Sequence, residues 1–70
     1  MNEPFRISIK AARVNAGYSL DQASDLLKIK KRTLINYENG TSVPTWDALD
    51  KISKCYEVPI DNLRLSKSRA

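Results

Sequence analysis

The stretch from Ser19 to Gly40, S-L-D-Q-A-S-D-L-L-K-I-K-K-R-T-L-I-N-Y-E-N-G, constrains the fold more than any other, because it sets two short amphipathic segments a few residues apart. In the first, Ser19 has the side chain of an N-cap and Gln22 follows three residues on, a capping-box signature; Ala23 and Leu27 then recur at i,i+4 with Leu26 alongside. In the second, Leu34 and Tyr37 share one face at i,i+3, while Lys31, Arg32, Ile35, Asn36 and Asn39 project from the other side until Gly40 supplies a stop. That outward face is long, polar and basic. Ile29 lies in the connection as an apolar plug that holds the two helices at an angle, and the rest of the chain becomes their support.

Seventy residues make one small domain, of a size at which folding buries only about 60% of the chain's surface, so an enzyme cleft of ordinary size does not fit beside a core. The 12 Lys and Arg against 8 Asp and Glu give a net charge of +4, which points to an anionic partner, nucleic acid or a membrane surface. Charge distribution favours nucleic acid: Lys28, Lys30, Lys31 and Arg32 cluster at the start of the second segment, and no helix carries the additional broad apolar face of a membrane-surface helix. With Cys55 as the single cysteine, no intrachain disulfide can form. With no histidine either, neither a zinc site nor an activated thiol is expected, and Cys55 reads as a small packing residue. No signal peptide and no run of about 18 apolar residues is visible, so the expectation is a soluble cytoplasmic protein without membrane contact, metal or cofactor.

Taken in order, Met1 to Arg6 is a polar lead, and Ser8 caps a first helix that runs to Ala16, with Ile7 placed to staple onto Ala12 and with Ile9, Ala12 and Ala16 on its inner face. Gly17 turns the chain, and Tyr18 covers the junction before Ser19. After Gly40 the chain crosses Thr41, Ser42, Val43 and Pro44, and Thr45 caps a fourth helix with Asp47 in its first turn, where a carboxylate suits the helix dipole. Leu49, Ile52 and Tyr56 form its core face, with Trp46 one turn ahead; Tyr18, Tyr37, Tyr56 and Trp46 read as core or junction aromatics. Val58 and Pro59 break this helix, and Ile60 to Leu63 reads as a short fifth. The core spans about residues 7–64, a basic frayed tail covers 65–70, and there is no strand pattern, repeat or second domain.

The segments I-S-I-K-A-A-R-V-N-A-G, T-L-I-N-Y-E-N-G, the following Pro44, and L-D-K-I-S-K-C-Y-E-V-P-I-D-N-L stand in an order and spacing that resembles the Cro/C1-type (Xre-like) helix-turn-helix family of phage repressor-like proteins, over nearly the whole chain from Ile7 to Leu63. The resemblance implies an all-α, compact, five-helix lambda-repressor-like domain in which the second and third helices form the helix-turn-helix. Two residues depart from the pattern. The family often has Gln where Leu20 stands, an amide that anchors phosphate and base, and usually has Gly at the turn held here by Lys28.

The family's geometry places the N-terminal part of the third helix, about 31–39, in the major groove of duplex DNA. Lys31 and Arg32 match the family's first base-reading positions; an arginine can clamp guanine O6 and N7, and Asn36 one turn on can pair with adenine. Lys30 serves a phosphate, Thr33 a phosphate or a base, and Asn39 lies further along the same face. Ile35 either meets a thymine methyl or is a lone exposed side chain. Thr41 and Ser42 match a loop that offers backbone amides and hydroxyls to phosphate. Arg13 and Glu38 match a structural ion pair joining the first helix to the end of the third, and Glu57, Val58, Pro59 and Ile60 match a dimer contact.

The expected function is that of a sequence-specific, double-stranded DNA-binding transcriptional regulator, a repressor that acts without catalysis and as a weak homodimer on DNA. The alternative is a protein-interaction module, serving as an antirepressor, an antitoxin or a partner-binding subunit, with another regulatory protein as its partner. The departures at Leu20 and Lys28 leave room for that alternative.

Overall fold

The computed structural model describes residues 6–64. Helix α1 spans Ile9–Ala16, α2 Leu20–Leu27, α3 Lys31–Asn39 and α4 Trp46–Tyr56; a single 3-10 turn covers Ile60–Asn62. Strands β1 (Ile7–Ser8) and β2 (Leu63–Arg64) pair in parallel, Ile7 against Leu63 and Ser8 against Arg64.

Hydroxyl caps start three of the helices. The Ser8 side chain accepts from the Ala11 amide at 3.1 Å, and Thr45 from that of Ala48 at 3.1 Å. Ser19 accepts from Gln22 N–H at 3.1 Å while the Gln22 side chain accepts from Ser19 N–H at 2.9 Å, a complete capping box. At the other end every α-helix stops on a left-handed residue: Gly17, Lys28, Gly40 and Glu57 have φ of 86°, 59°, 83° and 59°. Beyond three of these stops an apolar residue folds back on the helix. The amides of Tyr18, Ile29 and Val58 donate to the carbonyls of Arg13, Ser24 and Ser53 at 3.2, 3.1 and 3.0 Å, and their side chains pack against the core. The turn between α2 and α3 is therefore both hydrogen-bonded and plugged by Ile29.

The core consists of Ile9, Ala12, Ala23, Leu27, Leu34, Leu49, Ile52, Tyr56 and Leu63, with Ile7, Leu20, Tyr37 and Cys55 half-buried around it. Each α-helix contributes at least one buried side chain, and α2 packs against both α3 and α4. No helix of the described residues is long and apolar enough to cross a membrane.

Four details differ from the sequence expectation. Among the described residues there is no fifth α-helix: after Pro59 the chain makes one 3-10 turn, Asn62 N–H to Pro59 C=O at 2.9 Å, and Leu63 is already extended at φ −86°, ψ 126°. Four residues cannot repay helix nucleation, whereas an extended Leu63 drops into the core and pairs with Ile7, a strand contact that no local pattern announced. Ala16, at the end of α1, is exposed, and Arg13 takes the buried position one turn earlier. Trp46 is 75% exposed rather than a core aromatic, and Leu26 is exposed beside the buried Leu27. The expected basic tail at 65–70 and most of the polar lead fall outside the described residues.

Candidate nucleic-acid interface

Helix α3 begins unlike the other three. Its N-cap is Lys30, which has no acceptor to offer and makes no side-chain cap bond, and its first turn holds no acidic residue. Lys31 and Arg32 follow at once, and all three cations are exposed. Positive side chains at the positive end of a helix dipole are unfavourable by about 0.3–1 kcal/mol each, and uncapped amides there point outward. This arrangement concentrates side-chain charge, dipole and free N–H groups in one direction, which is the chemistry that receives an anion.

Below that head, one face of α3 points inward and the other outward. Leu34 is fully buried and Tyr37 packs against the core, fixing the rotation of the helix. Thr33, Ile35 and Asn36 are half-buried and Asn39 is exposed. The Asn36 carbonyl accepts from the amides of Thr41 at 2.9 Å and Ser42 at 3.3 Å. Those two amides are thus engaged within the chain, and what the loop retains for a ligand is the two hydroxyls. Leu20, where the resemblance led one to look for an amide, packs against the core instead.

Two ion pairs hold α3 to its neighbours. Arg13 and Glu38 meet at 2.8 Å with side chains only 9% and 6% exposed, tying α1 to the last turn of α3. Lys31 Nζ lies 3.0 Å from the Asp21 carboxylate on α2, a contact at a solvated surface. The sequence offered no signal for this second pair beyond opposite charge at two helix starts.

The four residues expected at a dimer contact follow α4 directly. Glu57 is the left-handed stop of α4, Val58 packs against the core, Pro59 is exposed, and Ile60 lines a groove of about 430 Å³ with Val43, Pro44, Trp46, Leu49 and Leu63. Cys55 is half-buried, and desolvation pushes its thiol above the ordinary value, which lowers the thiolate fraction. No cluster of His, Cys, Asp and Glu able to hold a metal occurs among the described residues.

Two short helices joined by a plugged turn, the second presenting an uncapped basic start and braced from behind, define a helix-turn-helix protein. The helix-turn-helix family model matches residues 9–63, and the chain belongs to this Cro/C1-type family, whose regulators bind double-stranded DNA. The chain is 40% identical over 55 residues to the HTH-type transcriptional regulator ImmR of Bacillus subtilis (strain 168), covering 79% of this chain and 43% of that protein. It is 30% identical over 59 residues to the cryptic phage CTXphi transcriptional repressor RstR of Vibrio cholerae, covering 84% of this chain and 53% of that one. The chain thus spans about half the length of these relatives. No solved structure gives a significant match.

Proposed function

We propose that this chain is a cytoplasmic, sequence-specific DNA-binding transcriptional repressor that acts without catalysis, inserting α3 into the major groove and excluding other proteins from a promoter by occupancy. The uncapped, basic start of α3 carries this reading, because three cations gathered at the positive end of a helix dipole favour an incoming anion and, among the described residues, only Lys31 of the three has a carboxylate partner. Lys31, Arg32 and Asn36 read base edges, Lys30 and the hydroxyls of Thr41 and Ser42 hold phosphates, and Thr33, Ile35 and Asn39 complete the contacting face. The relatives' names, a transcriptional regulator and a phage transcriptional repressor, support the same role.

One recognition helix reads only a few base pairs, so useful specificity calls for two half-sites about one helical turn apart and a two-fold pair of proteins. The contact between copies uses the segment Glu57, Val58, Pro59 and Ile60. The groove beside Ile60 extends it, since Trp46 and Val43 there are the most exposed large apolar side chains among the described residues.

Selection of bound duplexes from a random pool tests the reading. A recovered consensus with two-fold symmetry, bound more tightly by the second copy than its isolated half-site is bound by one, supports it. Recovery of no consensus, with sedimentation showing no pairing on DNA, overturns it and brings forward the protein-interaction role.

A further inference from the structure

Two exposed carboxylates are each paired with a lysine: Asp21 with Lys31 at 3.0 Å, and Asp50 with Lys54 at 3.1 Å. The second pair is an i,i+4 contact within α4, of the kind found on any solvated helix. The first is different, because it runs from the first turn of α2 to the first residue of α3 and so joins the two halves of the helix-turn-helix. Its lysine is also one of the three exposed cations at the head of α3.

We propose that Asp21 is a specificity-determining residue, whose carboxylate holds the Lys31 ammonium over the start of α3 and competes there with phosphate. This rests on the duplex-reading role above. An ammonium has three donors and no acceptor; with one donor on Asp21, the others remain free for a base-edge acceptor, so a correct base pair engages Lys31 without breaking the pair. A phosphate is drawn to Lys31 chiefly by charge, and the adjacent Asp21 carboxylate both offsets the ammonium and repels the anion, whereas a neutral base-edge acceptor meets no such repulsion. The lysine therefore counts for less on random DNA than on a site with the right base. Leu20, the neighbour of Asp21, packs against the core.

The magnitude follows from the exposure of the partners. The Lys31 and Asp21 side chains are 51% and 79% exposed, so the pair is weak, and its removal should shift affinity by about two- to fivefold. It should also add roughly one phosphate contact, steepening the dependence of log K on log salt by about one.

The experiment measures Kd for the whole chain, for D21N and for D50N, on the preferred duplex and on a random-sequence duplex across a salt series. D50N removes the same charge and frees a lysine in the same way, but on α4, outside the helix-turn-helix. The expected result is that D21N tightens random-duplex binding by about two- to fivefold and steepens its salt slope by about one, while the preferred duplex gains less than about 1.5-fold. D50N should leave the ratio of the two affinities unchanged, and in a K31A background D21N should no longer steepen the slope. Any loss of folded protein scales both affinities alike, so their ratio separates a positioning role from a purely structural one. Equal effects of D21N and D50N, or an unchanged ratio in D21N, overturn the inference. Absence of salt-dependent duplex binding by the unmodified chain overturns the DNA reading itself and this inference with it, an outcome distinct from failure at Asp21 alone.

Discussion

Arg13 and Glu38, one on α1 and the other in the last turn of α3, form a forked, nearly buried pair: Arg13 Nε donates to Glu38 Oε2 at 2.8 Å and Nη2 to Oε1 at 3.4 Å, while Nη1 donates to the Tyr18 carbonyl at 2.8 Å. The guanidinium thus links α3 to the junction between α1 and α2. Removing one partner strands a charge in a place from which water is largely excluded. Glu38→Ala and Arg13→Ala should each cost about 3 kcal/mol in urea unfolding, whereas the double change Arg13→Met with Glu38→Leu should cost much less than the two losses added together.

Lys28 and Glu57 hold left-handed conformations that glycine adopts without strain. Lys28→Gly and Glu57→Gly are therefore each expected to raise stability by about 0.5–1 kcal/mol, lifting Tm by several degrees in calorimetry. Gly17→Ala should do the opposite, although no atom lies within 4 Å of the added methyl, because φ of +86° is the obstacle there.

The Tyr56 hydroxyl is buried with no hydrogen-bond partner, and its ring sits 6.1 Å from that of Tyr18. Burial, and after it the Glu38 carboxylate, push the phenol well above the usual tyrosine range. Above pH of about 10 an unfolded tyrosine releases its proton while the folded one keeps it, so the folded state binds more protons and stability falls as pH rises. Tyr56→Phe should remove that alkaline loss and, by deleting an unpaired buried polar group, stabilise the protein by about 1 kcal/mol at neutral pH. Chemical denaturation at pH 7 and pH 11 reads both effects; an unchanged alkaline loss in Tyr56→Phe would show that other groups carry it.

Features encoded locally were legible in the sequence. Ser8, Ser19 with Gln22, and Thr45 cap their helices because a hydroxyl two or three residues from a free amide closes the bond without help from the rest of the chain. Leu63 was not legible as a strand, because its partner Ile7 lies at the other end of the chain and only the assembled core makes extension preferable to a helix. Trp46 misled for a geometric reason: side chains in the first turn lean toward the helix N-terminus, so a residue there can overhang the core that its register suggests it fills. Leu26 is one residue, about 100° of helix rotation, from Leu27, and only one of the two can face inward. At the site, the cations at 30–32 were evident from charge and position. The engagement of the Thr41 and Ser42 amides by Asn36, and the contact of Asp21 with Lys31, depend on how separate segments meet.

The most direct measurement of the central claim is the affinity of Arg32→Ala and Lys30→Ala, each determined on the preferred duplex and on a random-sequence duplex. If α3 reads the major groove from its basic start, Arg32→Ala should lose about 1–3 kcal/mol on the preferred site and relax choice at one base pair, while Lys30→Ala should weaken both duplexes alike and flatten the salt slope by about one. Equal losses on preferred and random DNA for both changes would contradict the account.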